Sequence, residues 1–173
     1  MPEIETPRLQ LRHFTLYDLD ELFHIFSNPE VMRYVGKGAR TKDETQTALI
    51  KMIQHWQHSF GMWAVIRKDS GKMIGRCGLQ YLDNTLEVEL GYTLDKADWN
   101  QGFATEASLA SLNYGFAEVG LDQIVAIAQP ENIASQRVMQ KVGMKYVKNA
   151  HYYNTEVVYY AIARQAFQSN GSL

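Results

Sequence analysis

Two carboxylates, Glu87 and Glu89, stand two residues apart in an apolar run from Leu86 to Leu94. Side chains alternate along a strand, so both project from one face. Partial burial and a like-charged neighbour would each raise such a carboxylate's pKa towards the range in which it can accept a substrate proton. The same pattern also fits a strand with one wet face. Next comes Trp99-Asn100-Gln101-Gly102-Phe103-Ala104-Thr105-Glu106-Ala107, a glycine-containing loop opening a helix-like run to about Glu118. Unpaired backbone N–H groups at the positive end of a helix dipole make a site for an anion such as a pyrophosphate. A tight turn with no ligand is the alternative. Glu106, in the first helical turn, suits the dipole and reads as structural. Cys77 is the lone cysteine and lies in a strand-like run, so it reads as a small buried filler. His55 and His58 are close enough on a helix to share a metal, but no third ligand stands nearby and no metal site is expected.

Elements must position these groups. The 173 residues fit one domain spanning 1–173, with 46% hydrophobic and 21% charged residues. A net charge of −2 argues against nucleic-acid binding. No apolar run is long enough to span a membrane, and the acidic start is unlike a secretory signal. With one cysteine no internal disulfide is possible, which suits the reducing cytoplasm.

Arg8 to Arg12 alternates as a strand does. Thr15 and Asp18 open a helix through Phe26 that Asn28-Pro29 ends. Thr41 and Glu44 form a capping box for a second helix carrying Ala48, Leu49, Met52, Ile53 and Trp56. Met62 to Lys68, Met73 to Leu82 and Leu86 to Leu94 form an antiparallel meander through short polar turns. A nearly all-apolar helix follows from about Gly102. Its small side (Ala104, Ala107, Ser111) permits close approach to a sheet. Gln123 to Gln129 is a strand, Asn132 to Val142 a helix, and Met144 to Lys148 with Thr155 to Arg164 a closing strand pair. The tail after Phe167 is expected to fray. The order predicts an α+β fold around a mixed, mostly antiparallel central sheet flanked by helices.

The loop at 99–104 and the segment Asn132-Ile133-Ala134-Ser135-Gln136-Arg137-Val138-Met139-Gln140-Lys141-Val142-Gly143-Met144 stand at a telling separation. Together they resemble the GCN5-related N-acetyltransferase (GNAT) superfamily, and most closely its ribosomal-protein N-terminal (RimJ/RimL-type) branch. Glu5 to Arg12, Asn28 to Tyr34 and Glu89-Leu90-Gly91-Tyr92 extend the resemblance over nearly the whole chain.

The resemblance implies the acyl-CoA N-acyltransferase fold. It also implies acetyl transfer from acetyl-CoA to a primary amine, by direct attack in a ternary complex without an acyl-enzyme. The loop residues Trp99, Asn100, Gln101, Gly102, Phe103, Ala104 and Thr105 would cradle the pyrophosphate. Trp99 stands where the family often has Arg or Gln, and Asn100 replaces a glycine usual in the branch. Lys96, Arg137 or Lys141 would be within choice for a ribose phosphate. Leu90, Gly91, Tyr92, Thr93 and Leu94 would lend backbone groups to the pantetheine arm, one amide polarising the acetyl carbonyl. Asn132 would bond the same arm. Glu89 matches the position of a carboxylate near the acceptor amine, the candidate base. Many relatives place a proton-donating tyrosine seven residues after the motif asparagine; this chain has Met139 there, and Ser135 matches the serine proposed to serve instead.

Tyr152, Tyr153, Tyr159 and Tyr160, with Trp56 and Phe60, could wall an acceptor pocket bounded by the loops at 33–41 and 149–155. The acceptor, a protein N-terminus or a small-molecule amine, is not coded in those loops. Relatives are often homodimers, but no interface signature is legible. A non-catalytic acyl-CoA-binding or regulatory module with the same fold is the alternative, motivated by Met139 and Asn100.

Overall fold

A computed structural model describes residues 2–55 and 59–170, with side chains to 168. Eight strands form one sheet in the order β1-β2-β3-β4-β5-β6-β8-β7. They are β1 (Ile4–Glu5), β2 (Leu9–Arg12), β3 (Met62–Arg67), β4 (Met73–Tyr81), β5 (Val88–Leu94), β6 (Gln123–Ala128), β7 (Lys145–Tyr152) and β8 (Thr155–Ala163). The helices are α1 (Leu19–Phe26), α2 (Lys42–His55), α3 (Phe103–Ala117), α4 (Ile133–Lys141) and α5 (Arg164–Asn170). All neighbours pair antiparallel except β5 and β6, which are parallel and joined through α3. The mixed, mostly antiparallel sheet is the expected one.

The alternation of side chains divides the core. On one face α3 and α4 cover Cys77, Leu79, Val88, Leu90, Ile124 and Ala126. On the other, α1 and α2 cover Met62, Ala64, Ile66 and Met73 with Leu22, Phe26, Leu49 and Met52. Both anticipated caps form. The Thr15 amide donates to Asp18 at 2.7 Å, and Thr41 and Glu44 exchange bonds of 2.8 and 3.2 Å.

Three departures have plain causes. β1 is too short to show a period. β7 runs to Tyr152 rather than Lys148, because it is an exposed edge strand without an apolar alternation and is held by its ladder to β8. The chain beyond Ala163 turns into α5, where no helix is expected, with the Phe167 ring tilted 41° against Phe116 at 5.2 Å; residues 171–173 of the tail lie outside the described residues.

Glycine is demanded where β3 and β4 close. A Cβ at Gly78 would lie 2.2 Å from the Gly61 carbonyl oxygen and 2.8 Å from Met62 Cα, backbone atoms that cannot step aside. Gly78→Ala should therefore lower stability by about 1–3 kcal/mol, as overpacked cores do, read as a drop in the urea midpoint.

Candidate active site

The loop after β5 is fixed from beneath. Asp95 and Asp98 are buried, and they pair with Lys72 and Arg67, each at 2.9 Å. Arg8, at the edge of β2, donates to the Gln101 carbonyl at 2.8 Å and to Glu106 at 2.6 Å, while its guanidinium lies 4.5 Å from the Phe103 ring centre. Glu106 also accepts from the Thr6 hydroxyl and the Arg8 amide, so it ties the N-terminal arm to α3. Its role is structural, as expected. The Trp99 indole donates to the Leu94 carbonyl at 2.9 Å.

With the loop so held, Asn100 and Gly102 adopt left-handed backbone, at φ 58° and 82°. Asparagine is the residue other than glycine that tolerates this conformation best, so Asn100 can take up the backbone of the glycine that the resemblance leads one to expect there. Among the described residues, the amides of Asn100, Gln101, Gly102, Phe103, Ala104 and Thr105 have no protein acceptor; the first helical bond is Glu106 to Gly102. Six consecutive donors at the positive end of a helix with 15 residues fit an anionic group such as a diphosphate.

Beside them the sheet parts. β5 and β6 share a single registered position, Glu89 opposite Val125, and beyond it β5 has no ladder partner on that side. Tyr92 spans the split: its hydroxyl lies 2.9 Å from both the carbonyl oxygen and Oγ of Ser135, near the start of α4. Ser135 is therefore not a helix-starting serine spent on its own backbone. The cap is Asn132, whose side-chain oxygen accepts from the Ser135 amide at 3.2 Å. Sequence reasoning valued Tyr92 for its backbone only; its phenol is the group it missed. Burial drives that phenol's pKa well above the ordinary tyrosine value, so it remains a neutral donor.

Glu89 faces the other side of β5, only 6% exposed. Gln80 donates to one carboxylate oxygen at 2.7 Å, and the Tyr153 hydroxyl lies 3.4 Å from the other. Burial raises its pKa to about 7, outweighing the opposing pull of Gln80, Arg76 and Tyr153. The like charge that adds to the rise is Asp83 rather than the expected Glu87. Glu87 is occupied by Tyr159 and Tyr152 hydroxyls.

The remaining expectations divide. Cys77 is fully buried, its Sγ 3.4 Å from Ser111 Oγ, with its thiol pKa pushed up to about 11 by burial. It is a filler. Met139 is core, and Lys96 is paired with Glu30 at 2.7 Å. Tyr152, Tyr153 and Tyr159 lie on the Glu89 side, whereas Tyr160 faces α4 and bonds Gln140 and Gln136. Phe60 packs edge-on against Tyr81. Trp56 and His58 lie outside the described residues, within which no cluster suited to a metal occurs. No helix among the described residues is long and apolar enough to cross a membrane.

A family model described as an acetyltransferase (GNAT) domain matches residues 8–145. The chain belongs to the GNAT acetyltransferases. This GNAT chain is 32% identical to the uncharacterized protein YkkB of Bacillus subtilis, over 91% of its own length and 94% of the relative's. It is 34% identical to the uncharacterized N-acetyltransferase YoaA of the same organism, over 83% of each chain. Its fold matches the crystal structure of a GNAT-family acetyltransferase from Bacillus anthracis at a TM-score of 0.84 and 29% identity, over 95% and 99% of the two chains.

A raised folded pKa means that the folded GNAT domain keeps the Glu89 proton where the unfolded chain has lost it. Stability from this group is therefore full below the unfolded value near 4.5 and falls as pH rises to about 7. An NMR titration of the Glu89 carboxyl carbon should show a midpoint near 7; a midpoint at the ordinary value would refute the buried setting.

Proposed function

We propose that this GNAT protein transfers the acetyl group of acetyl-CoA to a primary amine by direct attack in a ternary complex. The observation that carries the reading is the run of acceptor-free amides at the start of α3, placed at the mouth of the parted β5 and β6. Gly102 and its flanking amides hold the diphosphate, and the open edge of β5 past Leu90 receives the pantetheine arm, with Asn132 at its side. The thioester supplies an activated acetyl group.

Glu89 takes the proton from the incoming amine, as a carboxyl with a pKa of about 7 can at neutral pH. A β5 amide donates to the carbonyl oxygen as negative charge gathers there. The nitrogen–carbon bond forms and the carbon–sulfur bond breaks. Ser135 donates a hydrogen bond to the departing thiolate, held in place by the neutral Tyr92 hydroxyl within hydrogen-bond reach of Ser135 Oγ. The thiolate takes its proton from water, while Glu89 returns the amine's proton to solvent. This pair supplies a donor where Met139 cannot. We place the protein in the RimJ/RimL-type branch on Ser135 and the opening segment Glu5 to Arg12, and its reaction in the reducing cytoplasm that a lone, buried Cys77 suits.

Calorimetry with acetyl-CoA and desulfo-CoA tests the donor, and thiol release over a panel of amines tests turnover. Binding of neither nucleotide at millimolar concentration would end the proposal, and binding with no release from any amine would leave a non-catalytic module. Ser135→Ala and Tyr92→Phe should each lower kcat roughly 10²-fold, the lower end of the loss when a donor to developing negative charge is removed, with little change in acetyl-CoA affinity. Glu89→Gln should abolish the acidic limb of the kcat/KM profile, which in the native protein falls below about pH 7.

A further inference from the structure

The face of the sheet that carries Glu89 also carries Arg76. Both belong to the β4–β5 ladder, where Gln80 is opposite Glu89 and Arg76 opposite Thr93. Arg76 stands four positions along the strand from Gln80, about 13 Å of backbone that the arginine and glutamate side chains shorten from both ends. Each group senses the other's charge.

Arg76 has a companion. Arg40, in the segment between α1 and α2, is pinned by its amide to the Phe26 carbonyl at 2.8 Å. Its guanidinium lies 4.9 Å from the Phe26 ring centre, and that of Arg76 lies 5.3 Å from the same ring. Two half-buried cations thus converge on one aromatic side chain, and they repel each other.

Arg8, Arg12, Arg67 and Arg164 each have a carboxylate partner. Arg40 and Arg76 have none within ion-pair distance among the described residues; the only hydrogen bond from either guanidinium is a long one of 3.5 Å from Arg76 to Thr93. Burial lowers the pKa of both, that of Arg76 to about 10. The ring repays part of the cost of placing them together, but an anion between them would repay more. At the other end of the same face stand Glu89, Asp83 and the Tyr153 hydroxyl. One end of the site is acidic and the other is cationic.

We infer that the acceptor is a zwitterion, an amino acid or short amino-acid derivative whose amine meets Glu89 and whose carboxylate is seated by Arg40 and Arg76. The inference rests on the transfer reaction proposed above and narrows its acceptor. A polyamine or an aminoglycoside would bring only positive charge to the arginine pair, and a protein N-terminus, whose first residue has its carboxyl tied up in a peptide bond, offers that pair no α-carboxylate.

The test is thiol release from acetyl-CoA with matched acceptors, each amino acid against its own α-carboxamide. The carboxamide's amine is the less basic, so a larger share of it is free to attack, and preference for the acid must come from the site. At least a tenfold higher kcat/KM for the amino acid is expected. Arg40→Gln, on a loop, and Arg76→Gln, in the sheet, should each collapse that ratio, chiefly by raising KM for the acid. Equal or better use of the carboxamides by the native protein would overturn the inference and leave acetyl transfer standing. Survival of the ratio in both folded variants would overturn it too. Turnover of neither member of any pair, nor of any other amine, would fell the transfer reading and this inference with it.

Discussion

Everything at the site follows from β5 and β6 pairing at one position and then parting. Parallel neighbours need a crossover, and α3 supplies it, packed on the sheet through Ala107, Ser108 and Ser111, all fully buried. Large side chains at those places would hold the helix away from Cys77 and Leu79, and its first turn would not reach the mouth of the gap. The crossover therefore delivers the positive end of a helix to the place where the sheet has unpaired backbone. The two deficits in hydrogen bonding are adjacent. A ligand with a diphosphate at one end and an amide-bearing chain beyond it repairs both.

A loop that leaves so many amides unpaired needs support from elsewhere. Here it comes from ions: Asp95 with Lys72, Asp98 with Arg67, and Glu106 with Arg8. Such partly buried pairs add little net stability, because desolvation offsets attraction. What they contribute is direction. Arg8 joins β2, Gln101 and α3 at once, and so fixes the loop relative to the sheet.

The sequence carries local signals faithfully. The two capping boxes, the meander with its polar turns, and the apolar α3 all have a period or a punctuation that short-range physics enforces. The glycine loop was visible for the same reason, and Glu89 because alternation fixes which face it shares. The role of Tyr92 was not visible, since its partner Ser135 is 43 residues away and joins it only when α4 packs against the gap. Arg40 and Arg76 are likewise separate in the chain and meet over Phe26. Edge strand β7 escaped recognition past Lys148 because a polar edge has no buried face to impose alternation. Asp83 replaced Glu87 as the like charge near Glu89 because a turn, not a strand, brings it there.

That turn also explains how Glu89 reaches its poise. Asp83 and Tyr153 both hold left-handed backbone, at φ 47° and 49°, and neither is glycine. Such residues cost about 1–3 kcal/mol each unless their surroundings hold them. They hold each other: the Asp83 amide donates to the Tyr153 hydroxyl at 2.8 Å, and the Tyr153 amide donates to the Asp83 carboxylate at 2.9 Å. The β7–β8 hairpin is thereby tied to the β4–β5 turn, and the tyrosine hydroxyl is set beside Glu89. A neutral hydroxyl there lowers the carboxyl's pKa only modestly. A cation in contact would lower it far more and leave a carboxylate too weak to accept a proton. Arg76, held back at Thr93 and Phe26, acts at longer range. The strained turn thus lets Glu89 stay buried and hydrogen-bonded while keeping its basicity.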